Sequence, residues 1–219
     1  MNSPVELGFD HRFIAGERAR GAAPLTLLLL HGTGGDGDSL LQLGDTVAPG
    51  ATLLSPTGKV LENGARRFFR RFAEGVFDQE DLALRTQELA TFVRGAIDAY
   101  RLDPRWLVAL GYSNGAITAA SLLLANTGVL AGAVLLRPMD PFAPTVRPQL
   151  AEVPVLECIG THDRIATPPR GDALATLLMD AGADVHVHRE PAGHELTMGD
   201  VRVAREWLTS HFGPDVPVA

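Results

Sequence analysis

The sequence predicts an α/β fold, with one mostly parallel sheet and helices on both of its faces. Three observations carry this. From residue 25 onward, apolar runs of strand length alternate with segments of helical period. The first of these runs, Leu25 to Leu30, reads as unbroken, the pattern of a parallel strand covered on both faces. The first run passes straight into glycine-rich sequence, Gly32 to Gly37. No repeat, low-complexity tract or linker interrupts the 219 residues, so residues 1–219 are expected to form a single domain.

The elements follow in order. Phe13 to Gly16, with the residues before them, read as an edge hairpin. Leu25 to Leu30 read as a buried strand. Ser39 to Ala48 form a short helix stopped by Pro49-Gly50, and Thr52 to Pro56 a second strand ended by proline. Residues 57–80 show no clear period. A loop this long in a compact domain is usually functional or disordered, and the closely spaced Phe68, Phe69 and Phe72 argue against disorder. After Asp81, Leu89, Phe92, Val93, Ala96, Ile97 and Tyr100 recur at three and four, one stripe of a helix that ends at Asp103-Pro104. Trp106 to Leu110 make a strand. Asn114 to Ala125 make a helix apolar on nearly every side, hence buried. Ala131 to Leu136 and Val153 to Ile159 are further strands. Leu174, Leu177, Leu178 and Ala181 mark a helix with Gly182 just past its end. Asp184 to Glu190 alternate, as a half-buried strand near the sheet edge does. Val201, Ala204, Leu208 and Phe212 mark a final amphipathic helix.

Composition excludes several classes. The net charge is −7 with both signs interspersed, which favours solubility and argues against a nucleic-acid partner. Cys158 is the one cysteine, so no internal disulfide forms, as suits a reducing compartment. Met1 to Glu6 lack the basic and apolar regions of a secretory signal. The longest aliphatic run is far shorter than the about 20 residues a membrane span needs. A cytoplasmic chain with no membrane span is expected.

One stretch organises the chemistry. Gly111-Tyr112-Ser113-Asn114-Gly115 stands between a strand and a helix, the context that G-x-S-x-G requires. Such a turn pushes the Ser113 hydroxyl out at the strand end and aims the Asn114 N–H at a developing oxyanion. A serine hydroxyl is a poor nucleophile near neutral pH and needs a base, and the base needs an orienting carboxylate. Gly160-Thr161-His162-Asp163 follows one strand and Pro191-Ala192-Gly193-His194 follows the next. Both loops leave carboxyl ends of strands, the same sheet edge as Ser113. Asp163 and His194 are the expected partners. Asp140, one strand earlier, is the rival carboxylate, and His162 reads as structural or as part of the rim.

The loop His31-Gly32-Thr33-Gly34-Gly35-Asp36-Gly37 satisfies G-x-G-x-x-G literally. The next strand ends in Ser55-Pro56-Thr57, without the carboxylate a dinucleotide site needs. An oxyanion loop fits better, with the Thr33 N–H as second donor beside Asn114 and His31 tying the loop down. His186-x-His188 and His162-Asp163 give no pattern of an open zinc site, so neither metal nor cofactor is expected. Cys158 reads as a small buried hydrophobe. Phe68, Phe69 and Phe72, with Met139 and Leu196, are candidates to wall an acyl or aromatic pocket, or else to pin the loop to the core. Of Arg66, Arg67, Arg70 and Arg71, two are expected to pair with Glu62, Glu74 or Asp78, and the cluster could attract an anionic substrate.

With these residues placed, the chain resembles α/β-hydrolases of the phospholipase/carboxylesterase family, which includes carboxylesterases and acyl-protein thioesterases. The resemblance rests on His31 to Asp36, on Asp103-Pro104 leading into Gly111 to Gly115, on Gly160 to Asp163, and on Gly193-His194. Arg67 to Arg71, Gly75 to Asp78 and Leu136-Arg137-Pro138-Met139 resemble a narrower bacterial branch associated with hydroquinone stress. The resemblance implies a small serine esterase without a large lid domain, with Ser113, Asp163 and His194 as triad and Thr33 and Asn114 at the oxyanion positions. Only the Asn114 backbone is expected to matter. The implied substrate is a small-molecule ester, and a homodimer is plausible. A thioesterase or lysophospholipase would use the same triad. A ligand-binding protein that keeps the fold without hydrolysis is a third reading.

Overall fold

The computed structural model describes residues 7–17, 25–141 and 148–213; the hexapeptide read above for a leader lies outside them. In chain order the elements begin with β1 (His11–Ile14), β2 (Thr26–Leu30), α1 (Leu41–Val47), β3 (Thr52–Pro56), β4 (Val60–Glu62), β5 (Ala65–Arg67), β6 (Arg71–Ala73) and β7 (Val76–Phe77). They continue with α2 (Gln79–Tyr100), β8 (Leu107–Tyr112), α3 (Asn114–Ala125), β9 (Gly132–Leu136), β10 (Pro154–Gly160), α4 (Pro168–Asp180), β11 (Asp184–Glu190) and α5 (Met198–Phe212).

The central sheet has seven strands in the order β1-β3-β2-β8-β9-β10-β11. All neighbours run parallel except β1, which lies antiparallel on β3. The leucine run in β2 shows why the sheet is covered twice. Leu28 and Leu30 join a core with α2, α3 and α4, while Leu27 and Leu29 join a second core with α1 and α5. Side chains alternate across a strand, so a strand buried on both faces must be apolar at every position. β11 closes the far edge and is only half buried, as its alternating sequence predicts.

Connectivity reverses between β2 and β8. The chain leaves β2 toward β3 on one side, and leaves β8 toward β9 on the other. Such a reversal is where open α/β sheets bind ligands, outside the carboxyl ends of the strands.

Three expectations are corrected. Residues 11–14 do not fold back as a hairpin; they pair along β3, His11 opposite Pro56 and Ile14 opposite Leu53. Residues 57–80 are not an irregular loop. They contain two small antiparallel ribbons, β4–β5 and β6–β7. The first turns at Asn63-Gly64, both with positive φ of 49° and 84°, the pairing that two-residue hairpins favour. Finally, α2 starts before Asp81, because the Asp78 carboxylate caps it by accepting from the Asp81 N–H at 3.1 Å. It ends at Arg101 in the left-handed region, so Pro104 opens a short 3-10 turn rather than terminating the helix itself.

Candidate active site

The turn after β8 is as tight as its glycines suggest. Ser113 has φ 53° and ψ −114°, a strained backbone for a residue with a Cβ. A Cβ on Gly115 would stand 1.9 Å from the Leu30 carbonyl oxygen, and one on Gly111 would stand 2.5 Å from that of Gly115. Glycine is required at both positions because helix α3 starts directly against β2. Strain of this kind persists only where surrounding contacts hold it, here including Ser113 N–H to Leu136 O at 2.9 Å.

Around this turn the structure brings Ser113, His194 and Asp163 into one hydrogen-bonded row. His194 Nε2 lies 2.9 Å from Ser113 Oγ, and His194 Nδ1 lies 2.8 Å from Asp163 Oδ2. Asp163 comes from the loop after β10 and His194 from the loop after β11. The Asp163 side chain is fully buried, and its other oxygen accepts from the N–H groups of Ile165 and Ala166 at 2.8 and 2.9 Å. Both oxygens of the carboxylate are therefore engaged, and an acceptor-only carboxylate beside Nδ1 favours the tautomer with its proton there. Nε2 is then free to accept from the serine hydroxyl.

The rival carboxylate lies elsewhere. Asp140 pairs with Arg170, whose guanidinium also donates to the Asp140 backbone oxygen at 3.0 Å. His162 is exposed, beside Thr161.

The glycine-rich loop is held from both ends. His31 is buried, its Nδ1 donates to the Gly32 oxygen at 2.7 Å, and its Nε2 accepts from the Gly58 N–H at 2.9 Å. Burial lowers its pKa and so favours the neutral ring, and the two hydrogen bonds fix its tautomer. The Arg67 guanidinium donates to Thr33 Oγ1 at 2.6 Å, and Gly34 N–H donates to the Arg66 oxygen at 2.8 Å. The β4–β5 ribbon thus braces the loop that carries Thr33. Asn114 is the first residue of α3, so its backbone N–H has no intrahelical acceptor.

The Asn114 side chain does more than expected. It is buried, and its Oδ1 accepts from the Phe68 N–H at 2.8 Å, tying the ribbon region to the elbow. The pocket candidates scatter. Phe68 and Phe69 are buried in the core shared with α2 and α3, Phe68 against the His31 ring at 4.6 Å and Phe69 edge-on to Phe77 at 5.2 Å. Met139 lies in the same core, while Leu196 packs on the opposite one. Phe72, by contrast, is 76% exposed on β6. The arginines are mostly neutralised locally: Arg67 and Arg71 pair with Glu62, Arg71 also with Glu74, and Arg70 with Asp78 and Asp81.

Tyr112 and Arg137, which the sequence shows within motifs but without a role, hold the loop that carries His194. Tyr112 O–H donates to the His194 carbonyl oxygen at 3.0 Å. Arg137, at the end of β9, is wholly buried and donates to the carbonyls of Gly193 and Glu195 at 2.9 and 2.8 Å. A charged residue directly after a strand as apolar as Gly132–Leu136 was the available signal. Cys158 is buried next to it, and burial pushes its thiol pKa far up, so it is no nucleophile. Ligand atoms of His188, Glu190 and Asp200 lie within 4.8 Å of one another. They are already paired: Glu190 with His188 and Thr197, Asp200 with Arg137, whose fixed charge opposes a cation there.

No family model matches the chain. It is 44% identical over 188 residues to MhqD of Bacillus subtilis (strain 168), a hydrolase by name, covering 86% of this chain and 94% of that protein. It is 46% identical to a carboxylesterase of Bacillus cereus, with a TM-score of 0.88 and coverage of 93% of this chain and 95% of that one. The chain belongs to the carboxylesterase family of α/β-hydrolases. A carboxylesterase of Mesorhizobium loti aligns with a TM-score of 0.87 at 33% identity, over 94% of this chain and 97% of that one. The α/β-hydrolase fold accounts for the loop positions above, since Ser113, Asp163 and His194 stand in chain order after β8, β10 and β11. Among the described residues of this α/β-hydrolase, no helix is long and apolar enough to cross a membrane.

Proposed function

We propose that this α/β-hydrolase is a serine carboxylic-ester hydrolase acting on small or medium acyl or aromatic esters. The observation that carries the reading is the continuous row from Ser113 Oγ through His194 to Asp163, at 2.9 and 2.8 Å. Hydrolase and carboxylesterase relatives support the reaction class.

The steps follow from the atoms present. His194 Nε2 accepts the Ser113 proton as Oγ attacks the ester carbonyl. Asp163 holds the ring by Nδ1 and stabilises the imidazolium that forms. The carbonyl oxygen gains negative charge and is met by the N–H groups of Thr33 and Asn114. Each such donor is worth about 2.7–4 kcal/mol in the transition state. His194 then returns the proton to the leaving alcohol, and the acyl group stays on Ser113. Water, deprotonated by the same nitrogen, attacks the acyl-enzyme and restores the serine. These groups complete the reaction without a cofactor.

A fluorophosphonate probe tests this directly. Wild-type protein is expected to be labelled at Ser113 and to hydrolyse p-nitrophenyl acetate, and Ser113→Ala to do neither. A folded wild-type protein that takes no label would overturn the reading.

A further inference from the structure

The loop that carries His194 is gripped at three consecutive carbonyls. Arg137 Nε holds that of Gly193 at 2.9 Å, Tyr112 Oη that of His194 at 3.0 Å, and Arg137 Nη2 that of Glu195 at 2.8 Å. The two side chains come from neighbouring strand ends, since Tyr112 pairs with Leu136 across β8 and β9. Tyr112 is also the residue before the nucleophile. The separation of His194 from Ser113 is therefore fixed through side chains rooted beside Ser113.

Arg137 is itself held. Its side chain has no exposed surface and its backbone has φ 54°. Nη1 and Nη2 meet the two oxygens of Asp200 at 2.8 Å each, and Nη1 also approaches the Cys158 oxygen at 3.4 Å. Asp200 is equally constrained. It completes the capping box of α5, accepting from the Thr197 N–H at 2.8 Å and the Thr197 hydroxyl at 3.1 Å. Burial disfavours the charged carboxyl, but Arg137 and the Thr197 donors outweigh it and hold its pKa below the ordinary value. A buried pair of this kind adds little stability over apolar residues of equal volume, because desolvation offsets the attraction. What it supplies, and apolar residues do not, is a planar fork aimed at carbonyls on both sides of one histidine.

We propose that Arg137, locked by Asp200, is a positioning residue that sets the His194 ring against Ser113 and Asp163. The effect on turnover rests on the hydrolase reading above; the effect on the ring does not. Lysine cannot replace the arginine, because one ammonium does not span both carbonyls.

The test compares wild type with Arg137→Lys and with the double variant Arg137→Met, Asp200→Asn, which leaves no unpaired buried charge. Two readouts are taken on each: steady-state hydrolysis of p-nitrophenyl acetate, and the low-field proton resonance of the His194 Nδ1–H···Asp163 bond. Both variants are expected to melt cooperatively, to lose on the order of 10²-fold in kcat with KM within about twofold, and to lose or broaden the resonance, since a misplacement near 1 Å costs about that much. Wild-type kcat and an unchanged resonance in Arg137→Lys overturn the proposal, even where the double variant does not fold. Loss of the resonance in the variants, in a protein that takes no fluorophosphonate label, overturns the hydrolase reading and leaves the positioning role standing.

Discussion

Asp163 and Asp140 are both carboxylates just past a strand, and only their surroundings separate them. Asp163 is buried, receives two backbone N–H groups and faces the imidazole. Asp140 is partly exposed and paired with Arg170. Asp163→Asn is expected to lower kcat by about 10⁴, because the amide no longer selects the tautomer with its proton on Nδ1. Asp140→Asn is expected to stay within about twofold, as a partly exposed ion pair is worth about 0–1 kcal/mol. Steady-state kinetics on both variants checks the assignment, and a reversed order would move the carboxylate role to Asp140. Thr33 and Asn114 were named from motif alone as backbone donors. That the Asn114 side chain reaches the Phe68 N–H was not legible, since it depends on where a segment 46 residues away comes to lie.

Among elements, the β4–β5 ribbon shows where sequence reading stopped short. Asn63-Gly64 is a strong hairpin signal, but the flanking strands are three residues each and too short to display a period. The ribbon has a definite task. Through Arg67 on Thr33 and Arg66 on Gly34, and through the adjoining Phe68 on Asn114, it braces the glycine-rich loop and the elbow at once. Asn114→Ala removes one brace while leaving its own backbone N–H in place. It leaves the Phe68 N–H buried without an acceptor, so a loss of about 1–3 kcal/mol is expected in chemical denaturation. An unchanged unfolding free energy would mean that the bond does not hold the ribbon.

On the scale of the whole molecule, Glu157 is a buried acid that opposes the fold when charged. Glu157 on β10 is fully buried, and neither carboxyl oxygen has a hydrogen-bond partner among the described residues. It lies close to Gly171 of α4. Burial pushes its pKa well above the ordinary 4.5, with Asp172 adding to the rise and Arg189 opposing it. The folded protein therefore keeps a proton that the unfolded chain releases above that ordinary value. Stability then falls as pH rises from there toward the folded pKa. Glu157→Gln carries no such proton, so its melting temperature is expected to rise relative to that of wild type as pH climbs above the ordinary carboxyl value. Parallel melting curves across that range would show that Glu157 is not the source of a pH slope.

The sequence by itself determined the α/β alternation, the doubly covered leucine strand, the elbow, and the order in which Ser113, Asp163 and His194 follow their strands. These are local properties: hydrophobic period, the steric demand for glycine, and strand–turn–helix succession. The tertiary structure decided which carboxylate meets His194, which phenylalanines enter the core, and how the loop carrying His194 is fastened. Those outcomes depend on contacts between residues 31, 81 and 63 positions apart, Asp163 with His194, Ser113 with His194, and Arg137 with Asp200. No local pattern encodes such distances, because they are set only when the strands pair and the helices close over both faces of the sheet.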